Sequence, residues 1–424
     1  MISELLSQSL RTTALSAAMR GAGLAVRFLP IPQPTILVGP GSSGRLGQTI
    51  AGFGHTKILI VTDSIISRLG LLDELTKALT LGGAEYVIFD AITPDAPIPL
   101  IEEGVEFYCA HRCDAIVAFG GGSSMDAAKA IAAAVSNPGK TLRELAGYFK
   151  GLQTPVKIYA VPTTAGTGSE VTVAAVISDP ETHTKLVIVD TRLVPKMAAL
   201  DPCLMTGLPP HITAATGIDA LTHAIEAFVG HWASPYTDDM ALSAVGLIFE
   251  NLRVAYSDGQ NLAAREKMAL AATYAGLAFT RANVGYVHAI AHQFGGKYHT
   301  PHGLANAIML PLVLKYSLAA ITERLALLAV RVKLGRENEA DDVLALKFLD
   351  AVEQLNLDLG IPTFLAALKE SDIPQLAEAA CHEAHTGYPV PRYMTQAVCE
   401  GIIRQVLPPA AAAKKPARRG KKPG

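Results

Sequence analysis

The sequence predicts two domains, an α/β domain on a doubly wound parallel sheet and then an all-α domain. Three observations predict this. At 424 residues, half of them hydrophobic, the chain is long enough to bury two cores. Strand and helix signals alternate through its first half, which is the pattern of a parallel sheet with helices on both faces. Beyond Pro209 strand signals fade, and Ala/Leu-rich helical patterns run to Val406. The boundary therefore falls at the LPP of 208–210. It separates an N-terminal extension (1–30) and the α/β domain (31–208) from the all-α domain (209–407) and a tail (408–424).

In the extension, Arg11, Arg20 and Arg27 punctuate Ser, Thr and Ala, with Glu4 the one acid. It reads as an amphipathic helix. The composition would also suit a transit peptide, but it lacks the apolar core and cleavage site of a secretory signal. Next, IPQPTILVGPGSSGRLGQTI (31–50) holds a short strand and a Gly/Ser turn that opens a helix. KILIVTD (57–63) is an apolar run of the length of a buried parallel strand. EYVIFD (85–90) and DAIVAFG (114–120) repeat the signal, with helical stretches between.

Ligands of such sheets sit at the carboxyl ends of the strands. Asp63 closes one strand there, where a carboxylate can accept ribose hydroxyls and repel a 2′-phosphate, favouring NAD over NADP. It can equally be a helix N-cap. GGGSSMDAAKA (120–130) follows another strand and opens a helix. Its glycines let backbone N–H groups and the positive helix end approach a pyrophosphate. It is neither a GxGxxG fingerprint nor a P-loop. The domain thus reads as Rossmann-like and dinucleotide-binding. PTTAGTGSE (162–170), between two β-rich runs, offers Thr163, Thr164 and Thr167 to a cofactor or to its own backbone.

Histidines mark the all-α domain. VGYVHAIAHQFGGKYHTPHGLANAIML (284–310) holds His288, His292, His299 and His302, a third of the chain's 12 histidines. His288 and His292 share one helical face. Gly295-Gly296 is expected to end that helix, and Pro301 to hold a turn so that His302 opens the next. Upstream, TGIDALTHAIEAFV (216–229) sets Asp219 and His223 four apart. One such pair is usually a capping or surface pair, but two inside apolar helices point to a metal. A carboxylate with imidazoles and no thiolate suits Fe(II) or Zn(II).

Composition excludes other classes. The formal net charge is −2, and six basic residues lie in the low-complexity tail PPAAAAKKPARRGKKPG, so the body carries no nucleic-acid footprint. The tail reads as disordered. The five cysteines show no pairing pattern, which implies buried, reduced thiols in a cytoplasmic protein. No apolar run is expected to reach the length that spans a bilayer, so no membrane partner is expected.

The motifs GGGSSMDAAKA, PTTAGTGSEVT, ATGIDALTHAIEAF and GYVHAIAHQFGGKYHTPHG, in this order and spacing, resemble the iron-containing (group III) alcohol dehydrogenase family. The resemblance runs from about Pro34 to Leu407 and implies a dehydroquinate synthase-like architecture. It implies Asp219, His223, His288 and His302 as metal ligands, a complete set that speaks against the metal-free maleylacetate-reducing relatives. It makes His292 a proton-transfer residue beside the nicotinamide, although spacing alone pairs it with His288. His299 matches no ligand.

For NAD the resemblance implies Gly121, Gly122 and Ser123 at the pyrophosphate and Asp63 at the adenosine ribose. Thr163, Thr164, Thr167 and Lys185 match further cofactor contacts, and Asp95 stands where many relatives have asparagine. Ala174, Val176, Phe279 and His385 match pocket positions, and the first two give an apolar wall suited to primary alcohols and aldehydes. A homo-oligomer is implied, with the region after Pro30 as a pairing edge. The alternatives are a glycerol or diol dehydrogenase or a hydroxyacid–oxoacid transhydrogenase of the same superfamily. A non-catalytic metal- and nucleotide-binding assembly protein is the reading from another class.

Overall fold

Alternate residues of each apolar run face opposite layers, and the layers are helices. The computed structural model describes residues 28–409 except 152 and 183, together with 19, 21 and 23. The main sheet contains β1 (Thr35–Val38), β2 (Lys57–Val61), β3 (Glu85–Phe89), β4 (Ala115–Gly120), β6 (Lys157–Pro162) and β9 (Met197–Leu200). All its pairings are parallel, in the order β1-β9-β6-β4-β2-β3. On one face, Ile58, Ile60 and Val117 pack with Leu46 and Ile50 of α1 (Ser42–Gly52). Leu75 and Leu79 of α3 (Asp73–Leu81) join them; α2 (Ser64–Arg68) is short. On the other face, Leu59, Val61 and Ile116 meet Ile101 of α4 (Ile98–His111) and Met125 and Ile131 of α5 (Gly122–Val135).

The order of the strands locates the ligand crevice. From β2 the chain moves outward to β3, then returns across β2 to β4. The carboxyl ends of β2 and β4 therefore flank the point where winding reverses, which is where open parallel sheets bind ligands. After the short α6 (Leu142–Leu145), β5 (Gly147–Tyr148), β8 (Thr184–Val189) and β7 (Ala174–Asp179) form a separate small sheet, with β7 and β8 antiparallel.

The second domain is helical: α7 (Pro210–Val229), α8 (Pro235–Ser257), α9 (Leu262–Ala282), α10 (Tyr286–Tyr298), α11 (His302–Arg331), α12 (Asp341–Asp358), α13 (Ile373–Gly387) and α14 (Gln396–Arg404). Alanine dominates the buried side of α9, so neighbouring helices approach closely. The 162–170 loop joins the domains, where Thr273 of α9 donates to the buried Glu170 carboxylate at 2.6 Å.

Three expectations are corrected. Gly295-Gly296 does not end its helix: α10 runs on to Tyr298, and His299 takes the left-handed cap with φ 54°. Hydrogen bonds along the helix outweigh the roughly 1 kcal/mol cost of each internal glycine. Second, α11 is 30 residues long and an 18-residue stretch of it has a mean hydropathy of 1.7, long and apolar enough to cross a membrane by length and composition. Over half of that stretch is buried inside the protein, as in the core helix of a helical domain. Third, Cys109 and Cys203 are exposed, whereas Cys113, Cys381 and Cys399 are buried. The N-terminal helix and the basic tail lie outside the described residues, apart from 19, 21, 23, 28–30 and 408–409.

Candidate metal and nucleotide site

Three helices converge on one point. On α7, Asp219 and His223 project from successive turns; α10 contributes His288, and His302 opens α11. One ligand atom from each lies within 4.8 Å of the others. Asp219 Oδ1 is 3.5 Å from His302 Nε2 and 4.0 Å from His288 Nε2, and Asp219 Oδ2 is 4.0 Å from His223 Nδ1. The helices meet this closely because Gly303 carries no side chain. A Cβ there would stand 2.3 Å from the Ala215 carbonyl oxygen of α7.

The donor set fits a divalent transition metal. Asp219, His223 and His288 are buried. His223 Nδ1 is buried without a hydrogen-bond partner, although it faces the Asp219 carboxylate. Burial lowers the pKa of His223, holds His288 well below its ordinary value, and brings His302 down to about 4 against the pull of Asp219. Neutral imidazoles are what ligation requires. Phe279 stacks on the His223 ring at 4.2 Å, closing one side.

Sequence reasoning missed the groups behind this set. Glu226 lies seven residues beyond Asp219, so the same face of α7 carries Asp219, His223 and Glu226; that stripe of polar residues in an apolar helix was the available signal. Its carboxylate accepts from the N–H groups of Gly285 at 2.9 Å and Val287 at 2.7 Å, capping α10. His288 Nδ1 is 2.6 Å away, which puts the proton on Nδ1 and leaves the Nε2 lone pair towards Asp219. Burial pushes Glu226 up to about 7, against those backbone donors.

His292 stands beside the ligand set, its ring 5.3 Å from that of His302. Its Nδ1 donates to Glu383 of α13 at 2.6 Å, so Nε2 is the basic atom. Glu383 also accepts from Gln293 at 2.8 Å and from the Tyr388 hydroxyl at 2.5 Å. Glu383 lies 91 residues from His292, and no local pattern links them. His299 is exposed and outside the cluster. Of the other pocket positions, His385 is held by Tyr286 at 2.8 Å, while Ala174 and Val176 lie on β7.

The residues singled out for the nucleotide gather at the winding reversal. Asp63 ends the strand region of β2 and caps α2, with Oδ1 alone accepting from the N–H groups of Ile65 and Ile66. Gly121, Gly122 and Ser123 open α5. The 162–170 loop lies against them: a Cβ on Gly122 would come within 2.7 Å of the Thr167 methyl, and Thr164 is next to Gly121. Thr163 is buried and donates its N–H to Gly120 at 3.0 Å. Ser123 Oγ accepts from Asp95 N–H at 3.1 Å, and Asp95 pairs with Lys185 of β8.

Lys129 braces the joint. Its buried ammonium donates to Ser169 Oγ, to Thr172 O and Oγ1, and to Ala174 O, all at 2.9–3.0 Å. Burial lowers its pKa to about 8, partly offset by Asp126.

One chain thus joins a parallel sheet of the nucleotide-binding type to a candidate Asp-His₃ metal site, the combination expected of an oxidoreductase. Residues 32–202 match the family described as iron-containing alcohol dehydrogenase, and residues 213–407 its C-terminal domain. The chain is 41% identical over 381 residues to a 1,3-propanediol dehydrogenase of Klebsiella pneumoniae, covering 87% of this chain and 96% of that one. It is 38% identical over 382 residues to an NAD-dependent methanol dehydrogenase of Bacillus methanolicus, covering 90% and 99%. A solved 1,3-propanediol oxidoreductase structure superposes with a TM-score of 0.86 at 39% identity, covering 90% of this chain and all of that one. The chain belongs to the iron-containing alcohol dehydrogenase family.

Proposed function

We infer that the protein transfers hydride between a primary alcohol or its aldehyde and NAD, at a divalent metal held by Asp219, His223, His288 and His302. The observation that carries this reading is the four converged ligand atoms. A divalent cation, Fe(II) or Zn(II), supplies Lewis acidity that stabilises negative charge on a substrate oxygen by several kcal/mol. The nicotinamide supplies the hydride acceptor. His292 Nε2 accepts the alcohol proton, and Glu383 holds the ring in that tautomer.

Gly121, Gly122 and Ser123 offer the pyrophosphate the N-terminus of α5, with Thr163, Thr164, Thr167 and Lys185 alongside. Asp63 Oδ2 takes no part in the cap and is left for the ribose. Diols form the second reading, favoured by the likeness to a 1,3-propanediol dehydrogenase. The proposal extends to a cytoplasmic homo-oligomer, supported by five free thiols and by β1 as an open sheet edge.

The test is anaerobic: strip the metal, return Fe(II) or Zn(II), and follow NADH absorbance across alcohols and diols. NADH formation that returns only with metal is the expected result. Silence with every alcohol, in protein that binds both metal and NAD, overturns the dehydrogenase and favours the transhydrogenase or the assembly protein. Asp63→Gly tests the cofactor assignment. Glycine at an N-cap costs only a few tenths of a kcal/mol, so α2 persists. Losing a charged hydrogen bond weakens NAD by about 10- to 100-fold and relaxes discrimination against NADP. An unchanged ratio of kcat/KM for the two cofactors would reject the ribose role.

A further inference from the structure

Against the converging ligand atoms lies a side chain that the ligand set does not account for. Asn306 is four residues beyond His302 on α11 and is fully buried. Its Nδ2 is 2.7 Å from Asp219 Oδ1, 3.2 Å from His288 Nε2 and 3.1 Å from His302 Nε2. These atoms belong to three of the four residues whose ligand atoms converge. Asn306 Oδ1 is buried with no partner.

An amide nitrogen has two N–H donors and no lone pair to offer, so its three neighbours are acceptors. A carboxylate and imidazole lone pairs crowded in a buried pocket repel one another, and the two Asn306 N–H donors offset part of that repulsion, most closely at Asp219 Oδ1. A carboxylate oxygen has more than one lone pair, so Asp219 Oδ1 can keep its bond to Asn306 while the carboxylate serves as a ligand.

We propose that Asn306 is a positioning residue of the metal centre, orienting the Asp219 carboxylate through a bond that it can keep while serving as a ligand, and thereby raising the affinity of the site for a divalent metal. The inference rests on the reading of Asp219, His223, His288 and His302 as ligands. The partnerless Oδ1 fits this role, because the side chain is oriented by its donors alone.

The test uses the full chain, stripped of metal and titrated with Zn(II) against a chromogenic chelator. Co(II) absorption serves as a second readout, and NAD binding reports on the fold. Asn306→Leu keeps volume and removes the donors; Asn306→Ser keeps a shorter donor and covers the case in which the leucine variant fails to fold. Outer partners of ligands are generally worth about 10- to 100-fold in metal affinity. We expect Zn(II) binding to weaken by that factor in Asn306→Leu, with an altered Co(II) spectrum, and by less in Asn306→Ser. Affinity within threefold of the parent in both variants, or tighter binding in either, overturns the proposal. If the parent chain itself binds neither Zn(II) nor Co(II), the ligand reading fails instead, and the two failures are distinct.

Discussion

His288→Ala is expected to yield a folded chain that binds NAD, holds no metal, and turns over alcohol at least about a thousandfold more slowly. The magnitude follows from the chemistry, since several kcal/mol of charge stabilisation corresponds to three or more powers of ten in rate. The fold survives because Glu226 keeps its bonds to the N–H groups of Gly285 and Val287 when the imidazole is gone. The crevice proposed for the nucleotide lies on the other domain, between the ends of β2 and β4. Metal content by elemental analysis, NAD fluorescence titration and steady-state rates check the three parts. A variant that kept its metal and its turnover would remove His288 from the ligand set.

Gly303→Ala should be nearly as damaging, although it removes no ligand. The added methyl would lie 2.3 Å from the Ala215 carbonyl oxygen and 3.4 Å from Asp219 Cβ. Backbone cannot swing aside as a side chain can, so α7 and α11 must part. Overpacking of this kind costs about 1–3 kcal/mol. The larger effect falls on the site, because parting these helices separates Asp219 and His223 from His302. Misplacement by about 1 Å costs on the order of a hundredfold in rate. A melting curve together with metal content checks this; full metal loading at parental activity would mean that the crossing tolerates a methyl group.

Much of this was legible in the sequence, for identifiable reasons. β4, and β2 beyond Lys57, are apolar because both sheet faces are covered, and such runs stand out. Asp219 and His223 were legible as a candidate pair because polar residues four apart inside an apolar helix are costly unless they do something, whereas taking His302 and not His292 beside His288 rested on the family resemblance. β9 was missed: Met-Ala-Ala-Leu has little strand propensity, and it becomes a strand only because β1 and β6 pair with it. The end of α10 was misplaced because glycine was weighed by propensity, whereas the tertiary setting carries the helix through it. Glu383 was invisible for another reason. Its meaning lies in which atoms it reaches across the fold, and the sequence displays only what lies beside it along the chain.

One pairing bears on the birth of the molecule. Among the described residues, β1 is the first strand to leave the ribosome, yet its only partner in the sheet is β9, the last. At about 5–20 residues per second, roughly ten to thirty seconds of translation separate the two. For the last part of that interval, between the emergence of β6 and that of β9, the nascent sheet has β6 as an open flank. The protein must therefore complete its first domain late, almost as the first helix of the second begins to emerge.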